Sequence, residues 1–575
     1  MTWSKKCCVL ILGATIVGAA LRLPGLAQRP MHGDEAIHAE KFGRLLEQGA
    51  YTYDPNEYHG PALNYLSLVP AWLSSAKKLT EVTELMLRVV PVFFGLLLAV
   101  LVLLALDGLG RTSVVCAAAL TAVSPAMVFY SRYYIMEMLL VCFSFGAIVC
   151  GYRYVRSKNI FWAILTGVFL GLMHATKETC IIAFGSMLLA VLLMLFVPDR
   201  EKRFVLGKIK QVKPWHVIAG LMVAAAVSAL FYSSFFSSPK GVLDSFRTYA
   251  TYFSRAGHNS VHIHPWHYYL KMLLYFRYGA GPAWSEALIV ILAVAGFIVA
   301  TSRRTLLAAN SGLLKFIAFY TLAMTVAYSA IPYKTPWCML GFLHGMILLA
   351  GVGAAAMIKL APNVLARATV IILLVAGGAH LGWQAYLANY VYYADSRNPY
   401  VYAHPTTEVF TVAKVLQEIA KVHPDGQAMH IQIICPGDDY WPLPWYLRFF
   451  TGVEYSDSVD QNTPAAPVII ASSSLEAALA KKLYEQTPFQ QRQMYMYIFD
   501  NPYYVWLRPQ VKLIGLVRKD LWQLWQGGQL TEEEKPQIPQ IKPQISQIRQ
   551  IRFSTVLIGV NPCQKRTLRA RRPQR

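Results

Sequence analysis

Two adjacent carboxylates follow the first apolar segment of the chain, in the string His32-Gly33-Asp34-Glu35. A carboxylate fixed beside a membrane surface can act as a general base toward a hydroxyl group if it reaches the proton and has a suitable pKa. The same residues also suit the start of a helix with Asp34 as its N-cap, because a carboxylate oxygen accepts hydrogen bonds from the free amides of the first turn. The two interpretations are compatible.

Basic and aromatic side chains recur in loops that the hydropathy pattern places at the same membrane face. They are His59 beside a Gly-Pro turn, Arg132, Lys177, and Lys334 within the string Tyr333-Lys-Thr-Pro-Trp337. Three cations at one face can bind a phosphate or pyrophosphate group by charge complementarity. The alternative is a structural role for each, as a turn, a snorkelling side chain or an ion pair.

Glu137 lies within an apolar run, where a charge costs about 2.5–3.5 kcal/mol on insertion scales and needs a partner or a wet cavity. Arg132 is the predicted partner, in an ion pair. A divalent metal is the alternative, with Glu137, His262 and His264 as candidate ligands, because imidazole nitrogen suits zinc. Histidines of a wet aromatic loop are the other interpretation of the run from His258 to His267.

Composition and hydropathy indicate a polytopic α-helical membrane protein. The 575-residue chain is 55% hydrophobic and 15% charged, whereas soluble proteins are about 25% charged. The first apolar run is interpreted as an uncleaved signal anchor, because further spans follow it. Apolar runs predict about eleven transmembrane helices, at residues 7–26, 88–106, 112–130, 134–152, 160–175, 178–197, 215–235, 286–301, 312–331, 337–358 and 365–386.

The net charge of +22 is explained by membrane topology better than by nucleic acid as a partner. The loops after alternate predicted spans are basic, which by the positive-inside rule places them in the cytoplasm. The N-terminus, with Lys5 and Lys6, is then predicted to lie in the cytoplasm. The predicted location of the protein is the inner or plasma membrane of the cell. The supporting basic segments lie at residues 153–158, 200–213, 303–304 and 359–367.

This topology predicts three regions. Residues 1–386 form the transmembrane domain, with a long first outer loop at 27–87. Residues 387–515 form a small extracytoplasmic α/β domain, with a helix at 407–422, strands at 430–435 and 467–471, a second helix at 475–486, and strands at 495–499 and 503–507. Residues 516–575 form a low-complexity basic tail that is predicted to be disordered.

Several strings resemble the GT-C superfamily of polyprenyl-phosphate-sugar-dependent glycosyltransferases, in the branch that holds the protein mannosyltransferases and the lipid A aminoarabinose transferase. Within it the likeness is greatest to a prokaryotic subgroup associated with flippases in archaeal N-glycosylation. The likeness covers about residues 1–510. The strings are Arg29-Pro-Met-His-Gly-Asp-Glu-Ala36, Tyr51-Thr-Tyr-Asp-Pro55, Tyr58-His-Gly-Pro61, Ser131-Arg-Tyr-Tyr134, Thr176-Lys-Glu178, Tyr333-Lys-Thr-Pro-Trp337, Asn398-Pro-Tyr-Val-Tyr-Ala-His404 and Tyr440-Trp-Pro-Leu-Pro-Trp-Tyr-Leu-Arg448.

The resemblance implies a lipid-phosphate sugar donor and, as base, an acidic residue of the first outer loop, which is Asp34 here with Glu35 beside it. The expected reaction moves the sugar to a hydroxyl of a lipid, glycan or protein acceptor at the outer face, with inversion. The predicted substrate-binding residues are His59, Arg132, Lys177, Tyr333, Lys334 and Trp337.

One departure concerns the acid after the corner arginine, which in related transferases is often an aspartate and here is Glu137. Its role as a metal ligand or as an ion-pair partner stays open. Two other classes of function also stay open. The first is a translocase of lipid-linked saccharides or an accessory protein of a glycosylation pathway, and the second is a binding or assembly protein. Catalysis is favoured because the ionisable groups collect at one face, whereas a transporter places them near mid-membrane on broken helices.

Overall fold

The computed structural model describes residues 3–56, 59–196, 207, 211–255, 262–302 and 310–533. Tyr58, His258, the basic residues at 200–206, 208–210 and 303–304, and the tail after residue 533 lie outside the described residues. The predictions that concern them therefore remain predictions.

The first two-thirds of the chain is helical. In chain order the helices are α1 (Trp3–Arg22), α2 (Gly33–Gln48), α3 (Ala62–Leu73), α4 (Glu84–Leu101), α5 (Leu106–Leu109), α6 (Arg111–Val123), α7 (Pro125–Ser131), α8 (Glu137–Ser157), α9 (Ile160–His174), α10 (Cys180–Leu195), α11 (Pro214–Tyr232), α12 (Lys240–Arg255), α13 (Tyr268–Leu274), α14 (Ala287–Thr301), α15 (Ser311–Ala330), α16 (Leu340–Leu360) and α17 (Val364–Tyr386).

Six of the described helical segments are long and apolar enough to cross a membrane, and a seventh is added if the bent pair α6 and α7 forms one span. The shorter apolar helices α9, α10 and α14 and the N-terminal helix α1 coincide with four further predicted spans. The prediction of a polytopic helical membrane protein is confirmed. The total of about eleven spans and their orientation remain predictions.

Glycines let the central helices approach closely. A Cβ added at Gly296 of α14 would lie 1.9 Å from the carbonyl oxygen of Leu349, and one at Gly353 of α16 would lie 2.1 Å from that of Leu292. Small residues at such crossings allow backbone contact in membrane bundles, where no hydrophobic force drives helix association. Helix α8 is buried along most of its length, so it lies inside the bundle.

The C-terminal part of the described chain builds a mixed sheet. Its helices are α18 (Val409–Val422), α19 (Leu443–Tyr446), α20 (Glu476–Ala480) and α21 (Lys519–Glu533), and its strands are β1 (Ile431–Ile434), β2 (Val453–Ser456), β3 (Val468–Ser472), β4 (Tyr495–Tyr497), β5 (Val505–Arg508) and β6 (Val511–Arg518). Strand β1 pairs in parallel with β2 and β3, and β6 pairs antiparallel with β3, β4 and β5. The predicted tail starts too early, because β6 and α21 continue regular structure to Glu533.

Candidate active site at the first loop

The acid pair lies at the start of α2, with its two carboxylates in different environments. Helix α2 begins at Gly33, and its N-cap is His32, whose Nδ1 accepts a hydrogen bond from the Asp34 amide at 3.0 Å. The prediction that Asp34 is the N-cap is wrong, because the helix starts earlier and an imidazole takes that role. The Asp34 side chain is consequently 46% exposed, with Oδ1 3.8 Å from His32 Nδ1.

Glu35, by contrast, is fully buried in an ion-pair network. Arg88 donates to both of its carboxylate oxygens, at 2.8 and 2.7 Å, and Arg29 lies 3.4 Å from one of them. The backbone amides of His32 and Tyr134 also donate to it, at 3.0 and 2.8 Å. Because both oxygens of Glu35 are occupied, Asp34 is the acid with room to accept a substrate proton.

The network also changes the titration of Glu35. Burial would raise the pKa of this carboxyl, but the charges of Arg88 and Arg29 outweigh it and lower the pKa from 4.5 to about 2. A carboxylate whose pKa is lowered on folding contributes stability above its unfolded value and loses it as the pH falls toward the folded value.

We therefore expect the melting temperature of the wild type to fall faster below pH 4.5 than that of a Glu35→Gln variant, because only the wild type has this carboxylate to protonate. The measurement is thermal unfolding of both purified proteins in detergent from neutral to acidic pH. The difference between the two melting temperatures should narrow as the pH drops. A constant difference would contradict the role of this ion pair.

Arg132 lies at the end of α1 and does not pair with Glu137. Its guanidinium donates to the carbonyl oxygens of Arg22 (2.9 Å), Pro24 (2.7 Å) and Gly25 (3.1 Å), and it lies over the Tyr390 ring. The predicted Arg132–Glu137 ion pair is thus wrong, because backbone carbonyls of the turn after α1 take up the guanidinium donors. Arg132 holds that turn in place.

The partner of Glu137 is Lys177, and their ion pair is buried. Burial lowers and the Glu137 carboxylate raises the pKa of Lys177, which ends well above its usual value. Lys177 also forms an isolated antiparallel bridge with His59, whose Nδ1 lies 3.2 Å from Glu178. The structure therefore brings together His59 and Lys177, two of the predicted binding residues.

Close backbone approach explains the glycine beside His59. A Cβ on Gly60 would lie 2.2 Å from the carbonyl oxygen of Ala175. The amide of Gly60 donates to Thr176 at 3.1 Å, and that of Ala62 donates to Ala175 at 2.9 Å. The first loop is thereby attached directly to the turn that carries Lys177.

The loop with Tyr333, Lys334 and Trp337 contacts the same region. The Trp337 ring lies 5.7 Å from that of His32, and the Lys334 ammonium donates to the carbonyls of His264 and Ile331. Burial raises the pKa of Tyr333, and the charge of Asp34 raises it further. The Trp337 side chain thus lies beside the N-cap of α2, and the Tyr333 ring packs against His262.

The predicted metal ligands do not come together. Glu137 is taken by Lys177, whereas His262 and His264 both contact the hydroxyl of Tyr402, at 2.7 and 3.1 Å. Within the described residues, no group of three or more His, Cys, Asp or Glu side chains is arranged to hold a metal ion. A divalent metal remains a prediction without a ligand set.

The C-terminal part packs over the start of α2. His32 Nε2 donates to the Tyr402 carbonyl at 3.2 Å, consistent with a neutral ring whose Nδ1 accepts from Asp34. The Met31 amide donates to the Tyr446 hydroxyl at 2.7 Å, and a Cβ added at Gly33 would lie 3.5 Å from that of Trp441. Segments that are distant in sequence therefore pack against the start of α2, while the Asp34 side chain stays half-exposed.

Arg88 and Tyr402 are the functional residues that sequence analysis missed. Arg88 stands at the start of the predicted span 88–106, where a charge indicates a buried partner. Tyr402 belongs to the string Asn398–His404, whose residue types alone do not indicate a role. No sequence spacing indicates that its hydroxyl lies between His262 and His264.

Three adjoining cavities run along α8 from this site. The first is lined by Lys177, Glu137 and Trp337 at one end of the helix, and the third by Tyr152 and Arg156 at the other. The first and second share Val141, Ser144 and Gly341, and the second and third share Ile148. With 21 residues, α8 is about 31 Å long at 1.5 Å per residue, close to the ~30 Å hydrocarbon thickness of a bilayer.

Comparisons with known proteins agree with this architecture. The sequence model of the dolichyl-phosphate-mannose-protein mannosyltransferase (PMT) family matches residues 65–238. No curated protein sequence matches the chain significantly.

Two solved structures share the fold. ArnT from Cupriavidus metallidurans bound to undecaprenyl phosphate superposes with a TM-score of 0.58 at 14% identity, covering 89% of this chain and 98% of ArnT. The oligosaccharyltransferase AglB from Archaeoglobus fulgidus, in complex with an inhibitory peptide and a dolichol-phosphate, has a TM-score of 0.52 at 11% identity, covering 91% of this chain and 77% of AglB. At such identities the likeness shows the fold alone, which is GT-C-like. Together with the family match, it indicates a membrane glycosyltransferase of the GT-C type.

Proposed function

We propose that the protein transfers a sugar from a polyprenyl-phosphate donor to an acceptor hydroxyl at the extracytoplasmic face of the membrane, with inversion. The observation that carries the proposal is that the two carboxylates of the acid pair differ in exposure and in ion pairing. Asp34 is half-exposed at the first turn of α2, while Glu35 is bound by Arg88 and holds that turn in place. The site thus offers one fixed and accessible carboxylate, as a general base requires.

In this mechanism the acceptor oxygen attacks the anomeric carbon as the bond to the phosphate oxygen breaks. Asp34 takes the acceptor proton, and polyprenyl phosphate leaves. Charge grows on the departing phosphate, so a fixed cation beside it lowers the barrier. Lys177 is the proposed cation, with His59 paired to its backbone. Attack from the face opposite the leaving group inverts the anomeric configuration.

Of the cavities along α8, only the third, with a volume of about 390 Å³, has room for part of the lipid of such a donor; the first and second, at about 20 and 10 Å³, would have to widen as the chain enters. Their first compartment places Lys177 beside Trp337, whose ring is near the N-cap of α2. Their remaining walls are mostly apolar and extend for about the hydrocarbon thickness of a bilayer. We assign the phosphate to the Lys177 end and the polyprenyl tail to the groove. The third cavity, with Tyr152 and Phe316 in its wall, would take the distal isoprene units.

The C-terminal sheet region is proposed to select the acceptor, because it covers the start of α2 through Tyr402 and Trp441. We also propose that the protein belongs to the branch indicated by the sequence strings, which holds the protein mannosyltransferases and aminoarabinose transferases. Within that branch we propose the flippase-associated subgroup.

Replacing Lys177 should weaken donor binding. A charged hydrogen bond contributes about 1.5–3 kcal/mol, so we expect the donor KM to rise about 10–100-fold. Because Lys177→Met alone would leave Glu137 buried and unpaired, the informative variant is Lys177→Met combined with Glu137→Leu. Steady-state kinetics against donor concentration gives the KM. An unchanged donor KM in the double variant would show that Lys177 does not bind the donor phosphate. The control is Arg44→Met, on the exposed face of α2.

The proposal is tested by incubating purified protein with a panel of radiolabelled polyprenyl-phosphate sugars and candidate acceptors, with and without a chelator. Glycosylated product and released polyprenyl phosphate should form in equal amounts. Product that persists with the chelator shows that no dissociable metal is needed, as the proposed role of Lys177 requires, and product lost on chelation assigns the positive charge to a divalent metal. Movement of intact donor across the vesicle membrane, with no new glycosidic bond formed, would overturn the proposed transferase activity.

A further inference from the structure

Residues 240–250 of helix α12 (Lys240–Arg255) expose two large apolar side chains beside Arg247 and bury polar ones, unlike a surface helix of a soluble protein. Leu243 and Phe246 are 63% and 64% exposed, whereas Asp244, Ser245 and Thr248 are buried. An amphipathic surface helix in water buries its apolar stripe and exposes its polar face. The arrangement of α12 therefore requires a partner other than water on its outer face.

The exposed apolar face continues the lipid-facing surface of the preceding span. Helix α11 is a candidate span with only 17% of its 18 most apolar consecutive residues buried, so most of its side chains are left for lipid. The turn that follows it exposes Phe235 and Phe236, and α12 begins a few residues later. Phe side chains in this position suit the boundary between headgroups and acyl chains, where interfacial segments bury Phe and Leu.

The buried polar face of α12 has a separate task, because it binds the first loop. Thr248 Oγ1 lies 2.6 Å from the hydroxyl of Tyr53 and 3.2 Å from the carbonyl oxygen of Pro55. In the turn before α12, the Ser234 hydroxyl donates to the Tyr51 carbonyl. These contacts fix residues 51–55, which lead directly into the segment with His59.

We propose that α12 is an interfacial helix, with Leu243, Phe246, Phe235 and Phe236 embedded at the headgroup boundary of the leaflet at the first-loop end of the bundle. Its partner is the phospholipid surface. An apolar face buried in this boundary gains stability in proportion to the area removed from water. Through Thr248, the bilayer then holds the first-loop segment at a fixed depth beside the site.

The test places a photoreactive side chain on the exposed face. The variant Phe246→p-benzoylphenylalanine is reconstituted in vesicles of phosphatidylethanolamine and phosphatidylglycerol, irradiated, and analysed by mass spectrometry of the intact protein. The control is Asp425→p-benzoylphenylalanine, at a position whose side chain is 70% exposed in the C-terminal part. We expect phospholipid adducts at position 246 at least tenfold above those at position 425.

Two results would overturn the proposal: cross-linked dimers at position 246, which would identify a second copy as the occupant, or lipid adducts no more abundant than at position 425. If the Phe246 variant does not fold, Leu243→p-benzoylphenylalanine tests the same face. The readout does not depend on catalysis, so its failure is distinguishable from failure of the proposed function.

Discussion

An Asp34→Asn variant should lose transfer activity by about 10²–10⁴-fold, the usual contribution of a general base, while it keeps its fold. The amide has nearly the same shape as the carboxylate but cannot take up the acceptor proton. Asp34 is half-exposed and has no part in the Glu35 network, so its replacement leaves that ion pair intact. The measurement is the initial rate at saturating donor, together with the melting temperature.

Glu40→Gln is the matched control, because Glu40 is another carboxylate on α2 and pairs with the exposed Arg44. It should transfer sugar at the wild-type rate. Near-normal turnover by Asp34→Asn would remove Asp34 from the role of base.

Arg88→Met should destabilise the protein by about 3–5 kcal/mol, the usual cost of removing one partner of a buried ion pair. Arg88 is completely buried and donates to both oxygens of Glu35 and to the carbonyls of Leu26, Arg29 and Pro30. Its loss leaves a buried carboxylate beside the more distant Arg29 and frees the turn before α2. The measurement is the free energy of unfolding in detergent, or the melting temperature.

Two further variants separate charge from packing. Arg88→Met combined with Glu35→Leu removes both charges and should recover part of the stability without recovering activity. Arg44→Met removes a surface pair worth about 0.3–0.5 kcal/mol and should leave the melting temperature unchanged. If Arg88→Met melted at the wild-type temperature, the Glu35 network would not be the element that fixes the start of α2.

Local sequence was sufficient for the long apolar helices and for the polytopic class of the protein, because both depend on hydropathy. It was insufficient for the roles within the acid pair. Asp34 and Glu35 are chemically alike in sequence, and their difference comes from Arg88, 53 positions away. Arg132 was assigned to Glu137 by proximity in the chain, whereas backbone carbonyls at the end of α1 satisfy it. Contacts between residues so far apart in the chain leave no periodic signal in the sequence.

The C-terminal sheet shows the same limit. Strands β1 and β3 are short apolar runs and were predicted within one or two residues of their ends. Strand β2 was missed because Val453–Ser456 is only partly buried at the edge of the sheet. Strand β6 was missed because it lies at the predicted start of the tail, although it pairs with three other strands. Its central position depends on partners that local composition does not indicate.

The most direct test of the account is an electron cryomicroscopy structure of the Asp34→Asn variant in a lipid nanodisc with a polyprenyl-phosphate sugar bound. The account predicts the phosphate within hydrogen-bond distance of Lys177, the lipid along α8, and the anomeric carbon between the phosphate and position 34. A donor phosphate at the Arg156 end of α8, or a sugar out of reach of position 34, would contradict it.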